Sequence, residues 1–256
     1  MKTKRTVLLT GATGTMGTEV RKALRKHPDR FHLILFLRDS KKNRKHMKNE
    51  PGQRIIWGDL KNREDAFRGV RGVDIILHIG ALVSPMADAL PEEAWKVNVE
   101  GTKHLVDAIK ELPEKIQPAF VYIGSVAQTG NRAVPVHWGR IGDPLVPSIF
   151  DHYAQTKIAA ERYVIEAGLR KWVSLRQTGI LHQELLQTDD GISFHQPLNN
   201  HLEWVTAEDS ARLLMKLCLD DVPDRLWNNV YNIGGGASFR LSAYEFLRKI
   251  FSLLVY

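Results

Sequence analysis

The 256-residue chain contains a single cysteine, Cys218, so it can form no intrachain disulfide. Cys218 lies in an apolar helical pattern that predicts a buried thiol, and this cysteine usage fits a reducing compartment. No run is long and apolar enough to cross a membrane. The basic residues Lys2, Lys4 and Arg5 precede an apolar run that is too short for a signal peptide. We therefore expect a cytoplasmic protein without a membrane partner.

The sequence also lacks internal repeats, low-complexity segments and histidines at metal-ligand spacing, so we expect no metal site. Its formal net charge of +7 invites comparison with nucleic-acid-binding proteins. The excess is concentrated in one run, opposed only by Asp39: Arg38, Lys41, Lys42, Arg44, Lys45 and Lys48. One local cluster favours a phosphate clamp or a solvated loop over a nucleic-acid-binding face.

Short apolar runs alternate with helical stretches through the first two thirds of the chain. This alternation predicts an α/β fold with a parallel sheet covered on both faces. The predicted strands are residues 6–9, 32–37, 54–57, 73–79, 119–123, 172–176 and 230–233. The predicted helices are residues 62–69, 91–111, 152–169, 207–219 and 241–254.

A glycine-rich turn, Thr10-Gly11-Ala12-Thr13-Gly14-Thr15-Met16-Gly17, joins the first strand to a helical pattern. Such a turn lets the backbone approach a pyrophosphate, and the N-terminus of the following helix favours the anion. The spacing is G-x-x-G-x-x-G, which differs from the commonest dinucleotide fingerprint, and a tight turn without a ligand would also use glycine. We expect residues 1–177 to form a dinucleotide-binding domain. Residues 178–256 would form a small substrate-binding portion packed on it.

Tyr153 and Lys157 are four residues apart at the start of a predicted helix, so their side chains share a face. A nearby cation favours the phenolate form of a tyrosine, which Lys157 could provide. Ser125 ends the fifth strand, at the edge where open α/β sheets bind ligands. Its hydroxyl could bind a substrate carbonyl oxygen, or it could simply cap the loop.

These motifs, taken in order, resemble the extended short-chain dehydrogenase/reductases, which include sugar-nucleotide epimerases, 3β-hydroxysteroid dehydrogenases and dihydroflavonol-type reductases. The glycine turn matches T-G-x-x-G-x-x-G, and Ser125 precedes Gly130 as in S-x-x-x-x-G. Other matching segments are Gly58-Asp59-Leu60, His78-Ile79-Gly80-Ala81, Asn98-Val99-Glu100-Gly101-Thr102, Tyr153 with Lys157 and Glu161, and Tyr231-Asn232-Ile233-Gly234-Gly235. The resemblance covers residues 5 to about 245.

The resemblance implies a Rossmann doubly wound sheet and a Ser125–Tyr153–Lys157 triad. Tyr153 would exchange a proton with the substrate, Lys157 would lower the pKa of Tyr153 and bind the nicotinamide ribose, and Ser125 would hold the substrate oxygen. The chain is short for the extended type, which implies a reduced substrate-covering portion. Besides Tyr153 and Lys157, the implied cofactor-binding residues are Gly11, Thr13, Gly14, Thr15, Met16, Gly17, Arg38, Asp59, Leu60, Ile79, Gly80, Ala81, Asn98, Gln177, Thr178, Gly179 and Ile180.

Two positions bear on the cofactor. NAD favours an acidic residue at the end of the second strand, where this chain has Arg38. A guanidinium there would pair with a 2′-phosphate, so we favour NADP, with NAD as the alternative. Gln177 occupies the position at which the family usually has proline, which implies a different local backbone near the nicotinamide.

The substrate is less well defined. Residues 178–205 contain no lysine or arginine, which disfavours a clamp for a sugar-nucleotide diphosphate. Apolar residues after the fourth strand favour a less polar carbonyl or alcohol. The residues that suggest a partly apolar pocket mouth are Leu82, Val83, Pro85 and Met86. The later segment contains Leu181, His182, His195, His201 and Trp204.

The leading hypothesis is an NADP-dependent oxidoreductase acting on a carbonyl/alcohol pair. A sugar-nucleotide epimerase or dehydratase would use the same triad, and a non-catalytic dinucleotide sensor would share the fold. By the same resemblance, the helices predicted over residues 91–111 and 152–169 could form the interface of a homodimer.

Overall fold

The structure is a computed structural model that describes residues 4–48, 50, 52, 54–130, 139–182 and 197–254. Its central sheet contains seven parallel strands in the order β3-β2-β1-β4-β5-β6-β9. The strands are β1 (Arg5–Thr10), β2 (Phe31–Leu37), β3 (Arg54–Trp57), β4 (Ile75–His78), β5 (Ala119–Ser125), β6 (Trp172–Gln177), β7 (Gly179–Leu181), β8 (His201–Thr206), β9 (Asn229–Ile233) and β10 (Arg240–Ser242). The predicted α/β class and parallel sheet are confirmed.

Helices cover both faces of the sheet. They are α1 (Thr15–Arg25), α2 (Lys41–Lys48), α3 (Arg63–Val70), α4 (Met86–Ala89), α5 (Pro91–Ala94), α6 (Gly101–Lys110), α7 (His152–Glu166), α8 (Ala207–Leu217) and α9 (Ala243–Leu254). Helices α1 and α8 pack on one face, and α3, α6 and α7 pack on the other. No helix in the described part of the chain has both the length and the apolar composition needed to cross a membrane.

The two cores follow from the alternation of side chains along the strands. In β5, Val121 and Ile123 join the core beneath α1 and α8, while Phe120 and Tyr122 join the core beneath α6 and α7. The strand can be almost continuously apolar because both of its faces are covered. Cys218 is fully buried beside α8, as predicted.

The segment after residue 177 contributes to the main sheet as well as to a smaller one. Strand β9 pairs with β6, and α8 packs against α1. Strands β7, β8 and β10 form a separate three-stranded sheet, which the sequence analysis did not predict. Our boundary at residue 177 stays a prediction. His195 lies outside the described residues.

Two predicted elements differ from the structure. The helix expected over residues 91–111 is interrupted by a π-helical segment, Trp95–Glu100, between α5 and α6. The basic run, interpreted as a phosphate clamp or a solvated loop, forms α2 except for Arg38, which precedes the helix. The Ser40 hydroxyl accepts the Asn43 N–H at the start of α2, and the buried Met47 anchors the helix to the core.

Candidate active site

The glycine-rich turn after β1 is shaped by close backbone packing. Gly11 has a φ of +67°, and a Cβ at this position would lie 2.7 Å from the Gly80 nitrogen. A Cβ at Gly17 would collide with the Gly11 carbonyl. Both positions therefore need glycine for the turn and for the contact between β1 and the end of β4.

Gly14 is different, because neither its φ of −79° nor its surroundings require glycine. An added Cβ would meet only the Gly11 oxygen, at 3.5 Å, which is an ordinary contact. Gly14 is the N-cap of α1 and, as a glycine, has no side chain that could cap the helix. The first turn of α1 also has no acidic residue. The turn consequently fits a pyrophosphate, which would occupy the space that a side chain at Gly14 would fill.

The loop after β2 is tied to this turn. The Thr13 hydroxyl donates to Asn43 Oδ1 at 3.0 Å, and Asn43 Nδ2 donates to the Arg38 carbonyl at 2.8 Å. The Arg38 side chain is exposed, as is Asp39. The Asn43 side chain of α2 thus connects Thr13 and Arg38, two of the predicted cofactor-binding residues.

The carboxylate of Asp39 is engaged by Arg44. The Arg44 guanidinium donates to both Asp39 oxygens, at 2.5 and 2.7 Å, and lies over the Trp57 ring at 4.8 Å from its centroid. The hydrogen bond from Arg44 lowers the pKa of Asp39. The acidic group nearest the end of β2 therefore already has a cation as its partner.

The segment after β3 lies beside the loop of Arg38. Asp59 Oδ1 accepts the Lys61 N–H at 3.0 Å, and Leu60 packs against Gly101 at the start of α6. Lys61 Nζ donates to Glu93 Oε1 at 2.8 Å, and this hydrogen bond raises the pKa of Lys61 while the charge of Arg38 opposes that rise.

The end of β4 is fixed by a buried chain of hydrogen bonds. The Thr10 hydroxyl accepts the Gly80 N–H at 2.9 Å and lies 2.8 Å from His78 Nδ1. His78 Nε2 lies 3.0 Å from the Thr102 hydroxyl, whose own hydrogen goes to the Asn98 carbonyl. Burial, followed by the charge of Lys157, lowers the pKa of His78 to about 3. His78 is thus a neutral imidazole that aligns Ile79, Gly80 and Ala81.

Asn98 lies on the π-helical segment with its side chain fully engaged. Its amide oxygen accepts the Leu82 N–H at 2.7 Å, and its amide nitrogen donates to the Leu82 carbonyl and the Thr156 hydroxyl at 2.8 and 3.0 Å. These bonds connect the loop after β4 to α7. Contact between Asn98 and a cofactor stays a prediction.

The structure brings the three predicted triad residues together at the carboxyl edge of the sheet. Ser125 ends β5, and its hydroxyl lies close enough to the Tyr153 phenol to oppose the rise in the pKa of that phenol. Lys157 Nζ donates to the Ile123 carbonyl at 2.8 Å and lies 5.8 Å from the Tyr153 ring centroid. The cap of α7, in which Asp151 accepts the Ala154 N–H at 2.8 Å, places Tyr153 in the first turn.

Burial controls the ionisation of both groups on α7. It raises the pKa of Tyr153 to about 12, against the lowering effect of the hydrogen bond to Ser125. It lowers the pKa of Lys157 to about 8, against the charge of Glu161. Lys157 is not among the groups that shift the pKa of Tyr153 here, so the expectation that Lys157 lowers this pKa stays a prediction. The ammonium bonds to the Ile123 carbonyl, and desolvation of the phenolate dominates.

The end of β6 and the segment after it contain polar groups without a partner among the described residues. Gln177 pairs in register with Ser125 and is 5% exposed, yet neither polar atom of its amide has a hydrogen-bond partner in the described part of the chain. The same holds for the buried Thr178 hydroxyl and Trp204 indole nitrogen. Gly179 and Ile180 lie on β7, where Gly179 packs against the Trp204 ring.

A buried polar cluster behind Ser125 was missed by the sequence analysis. It consists of Gln128, Glu161, Ser174 and Arg176, all less than a tenth exposed. Glu161 could be anticipated from its place one turn after Lys157. Nothing in the sequence marks Gln128 as its partner. In the described part of the chain, no group of three or more His, Cys, Asp or Glu side chains is placed to hold a metal ion.

Comparisons with known proteins agree with this architecture. UDP-N-acetylglucosamine 4,6-dehydratase (inverting) of Campylobacter jejuni is 31% identical over 114 residues, covering 43% of this chain and 34% of that protein. A 3-beta-hydroxysteroid dehydrogenase of Mycolicibacterium neoaurum is 31% identical over 188 residues, covering 68% and 47%. The matched segments thus span one third to one half of these relatives.

A solved structure covers nearly the whole chain. The crystal structure of dTDP-glucose 4,6-dehydratase from Bacillus anthracis in complex with NAD superposes with a TM-score of 0.76. It is 19% identical and covers 98% of this chain and 81% of that one, which establishes the fold. The model of the NAD dependent epimerase/dehydratase family matches residues 7–178, which include the glycine turn, Ser125, Tyr153 and Lys157. The chain therefore belongs to the NAD dependent epimerase/dehydratase family, as its motifs indicated.

Proposed function

We propose that this protein is an NADP-dependent oxidoreductase that interconverts a carbonyl and an alcohol. The observation that carries the proposal is the assembly of Ser125, Tyr153 and Lys157 at the carboxyl edge of the sheet. A hydroxyl, a phenol and an ammonium meet there beside a turn that fits a pyrophosphate. A dinucleotide sensor without catalytic activity would not need this set of groups.

The protonation states favour reduction at neutral pH. Tyr153, with a pKa of about 12, is a neutral phenol that can donate its proton to a carbonyl oxygen held by Ser125. Lys157, with a pKa of about 8, is mostly charged at pH 7 and would bind the ribose of the cofactor. The nicotinamide supplies the hydride when it is bound. Alcohol oxidation would instead require the phenolate and would therefore become faster as pH rises.

The preference for NADP is argued from the end of β2. Arg38 is exposed at the position where an NAD site favours a carboxylate, and Asp39 is held by Arg44. An exposed guanidinium can bind a 2′-phosphate through charge-assisted hydrogen bonds. Asp39 is also less able to accept the ribose hydroxyls of NAD, because both of its oxygens have a partner.

A sugar-nucleotide dehydratase or epimerase is the second candidate. It is favoured by the similarity to the dehydratases of Campylobacter jejuni and Bacillus anthracis, the latter solved with NAD. Such an enzyme would use the same triad and regenerate its cofactor in each cycle. The lack of lysine and arginine in residues 178–205 argues for a less polar substrate.

The proposal also covers the cellular compartment and the oligomeric state. The single buried thiol suits a cytoplasmic protein. Helices α6 and α7 lie side by side, joined by the Tyr163 hydroxyl, which donates to Asp107 at 2.5 Å, and they could form the interface of a homodimer.

Titration of the purified protein with NADPH and NADH, followed by quenching of tryptophan fluorescence, tests the cofactor assignment. We expect tighter binding of NADPH, which would justify a screen of carbonyl substrates with that cofactor. Tighter binding of NADH, or NAD retained through purification, would favour the dehydratase or epimerase. Binding of neither nucleotide would contradict both candidates.

A further inference from the structure

Glu161 lies one helical turn after Lys157 on α7, and its buried carboxylate is at the centre of the polar cluster behind Ser125. The side chain is 2% exposed. Arg176 donates to it through Nη2 at 2.6 Å and through Nε at 3.1 Å, and Ser174 Oγ donates at 2.5 Å. Two strand residues of β6 thus hold a carboxylate that projects from α7.

Gln128 connects this carboxylate to Ser125. Gln128 Nε2 donates to Glu161 Oε2 at 2.8 Å, and Gln128 Oε1 accepts the backbone N–H of Ser125 at 2.8 Å. Gly124 leaves the necessary space, because a Cβ there would lie 2.9 Å from the Gln128 oxygen and 3.2 Å from Glu161 Oε1. The end of β5 is therefore tied to α7 through one amide side chain.

The same carboxylate acts on Lys157. The ammonium is surrounded by the neutral His78 of β4, the Tyr122 ring of β5 at 5.0 Å, and the Tyr153 ring of its own helix. Beyond Glu161 lies the Arg176 cation of β6. Glu161 is the group whose charge favours the ammonium against the cost of burial.

We propose that Glu161 is a positioning residue for the triad: through Gln128 it fixes the backbone of Ser125, and its negative charge holds the ammonium of Lys157 beside the Tyr153 phenol. One side chain then supports both groups that flank the phenol. Arg176 balances the remaining charge, because a buried carboxylate without a cation would be strongly destabilising. This inference rests on the proposed function, since it assigns Lys157 to the ribose of a nicotinamide nucleotide.

The test is the pH dependence of NADPH affinity between pH 6.5 and 9.5. In the unmodified protein, affinity should fall as Lys157 loses its charge near pH 8. Glu161→Gln removes the favourable charge and should move the midpoint of this fall to lower pH by about one unit. The matched control is Glu166→Gln, an exposed glutamate of α7 paired with Arg162, which should leave the midpoint unchanged.

A second variant covers the case in which Glu161→Gln leaves Arg176 unpaired and prevents folding. The double variant Glu161→Met with Arg176→Met removes both charges, a change that folded proteins often tolerate. It should move the midpoint in the same direction but by less than Glu161→Gln, because the Arg176 cation is removed as well, and it should increase amide hydrogen exchange at Ser125 by tenfold or more. Gln128→Met should increase exchange at Ser125 while leaving the midpoint in place, because it keeps the carboxylate.

The outcomes distinguish failure of the proposed function from failure of the inference about Glu161. If the unmodified protein does not bind NADPH, the proposed function fails. If it binds with a midpoint near pH 8 that neither Glu161 variant moves, the inference about Glu161 is wrong. It is also wrong if Gln128→Met moves the midpoint as far as the Glu161 variants do, because the shift would then report general loosening of the site.

Discussion

The two ends of the candidate cofactor site are built in opposite ways. At the reaction end, Lys157 and Glu161 are almost completely buried, and each is held by side chains or carbonyls of neighbouring strands. At the adenosine end, Arg38 and most of α2 are exposed, and only Met47 of that helix is buried. Charges interact strongly where water is excluded and weakly where it is present. Substitution of Tyr153 at the first end should therefore change chemistry, and substitutions at the second end should change affinity.

The largest effect is expected for Tyr153→Phe. It removes the proton donor while keeping the ring, so turnover of any carbonyl substrate identified by screening should fall by about 10²–10⁴-fold. NADPH affinity, measured by fluorescence titration, should stay within about threefold of the original. Unchanged turnover would contradict the triad assignment. A parallel loss of affinity would mean that the two ends are not separable.

Arg38→Ala should weaken NADPH binding by about tenfold to one hundredfold, the usual value of a charge-assisted hydrogen bond. NADH affinity should change little. Because the site is exposed, the difference should shrink as salt concentration rises. Lys48→Ala, an exposed cation at the end of α2, is the matched control and should affect both nucleotides weakly. Equal weakening of NADPH and NADH by Arg38→Ala would show that this residue does not recognise the 2′-phosphate.

Arg44→Ala tests whether Asp39, at the exposed end of the site, contributes to the choice between NADPH and NADH. It releases the Asp39 carboxylate, which could then accept ribose hydroxyls and repel a 2′-phosphate. The ratio of NADPH to NADH affinity should fall severalfold in paired titrations, with NADH binding improved. Lys45→Ala on the same helix should leave the ratio unchanged. A ratio unaffected by Arg44→Ala would mean that Asp39 takes no part in cofactor choice.

The smallest effect is expected for Gln177→Met, which probes the buried end. Neither polar atom of the Gln177 amide has a partner among the residues that the structure describes, so replacing it with an apolar side chain of similar volume should stabilise the free protein by about 1 kcal/mol. For a domain of this size, the unfolding temperature should rise by about 2–4 °C in calorimetry. Gln155→Met is the control, since the Gln155 amide donates to the Ser148 and Ile149 carbonyls and its loss should not stabilise. Destabilisation by Gln177→Met would show that the amide contributes to the fold.

The sequence predicted those features that depend on local pattern. The seven strands of the main sheet were predicted because each is a short apolar run, and the proximity of Tyr153 and Lys157 was predicted because the two residues share a helical face. Helix α2 was missed because seven of its eight residues are polar, and a single buried methionine produces no helical pattern of apolar residues. Strands β7 and β10, of three residues each, are too short to produce an alternating pattern.

Features that depend on tertiary contact could not be anticipated in the same way. Gln128 and Glu161 are 33 residues apart, and their hydrogen bond exists only because β5 and α7 pack together. The sequence predicts that Lys157 lowers the pKa of Tyr153, whereas the upward shift that burial causes depends on how completely water is excluded. Residue type and spacing suggest which groups meet, whereas burial determines their protonation.

The position of β9 has a consequence for how the chain is made. Because β9 pairs with residues 173–177 of β6, the strand that carries Arg176 has a free edge until residue 233 has left the ribosome. A nascent chain that already contains the glycine turn, Ser125, Tyr153 and Lys157 thus still exposes unpaired backbone beside them. The order of synthesis therefore leaves the lateral edge of β6 open until β9, the last strand of the main sheet to be made, pairs with it.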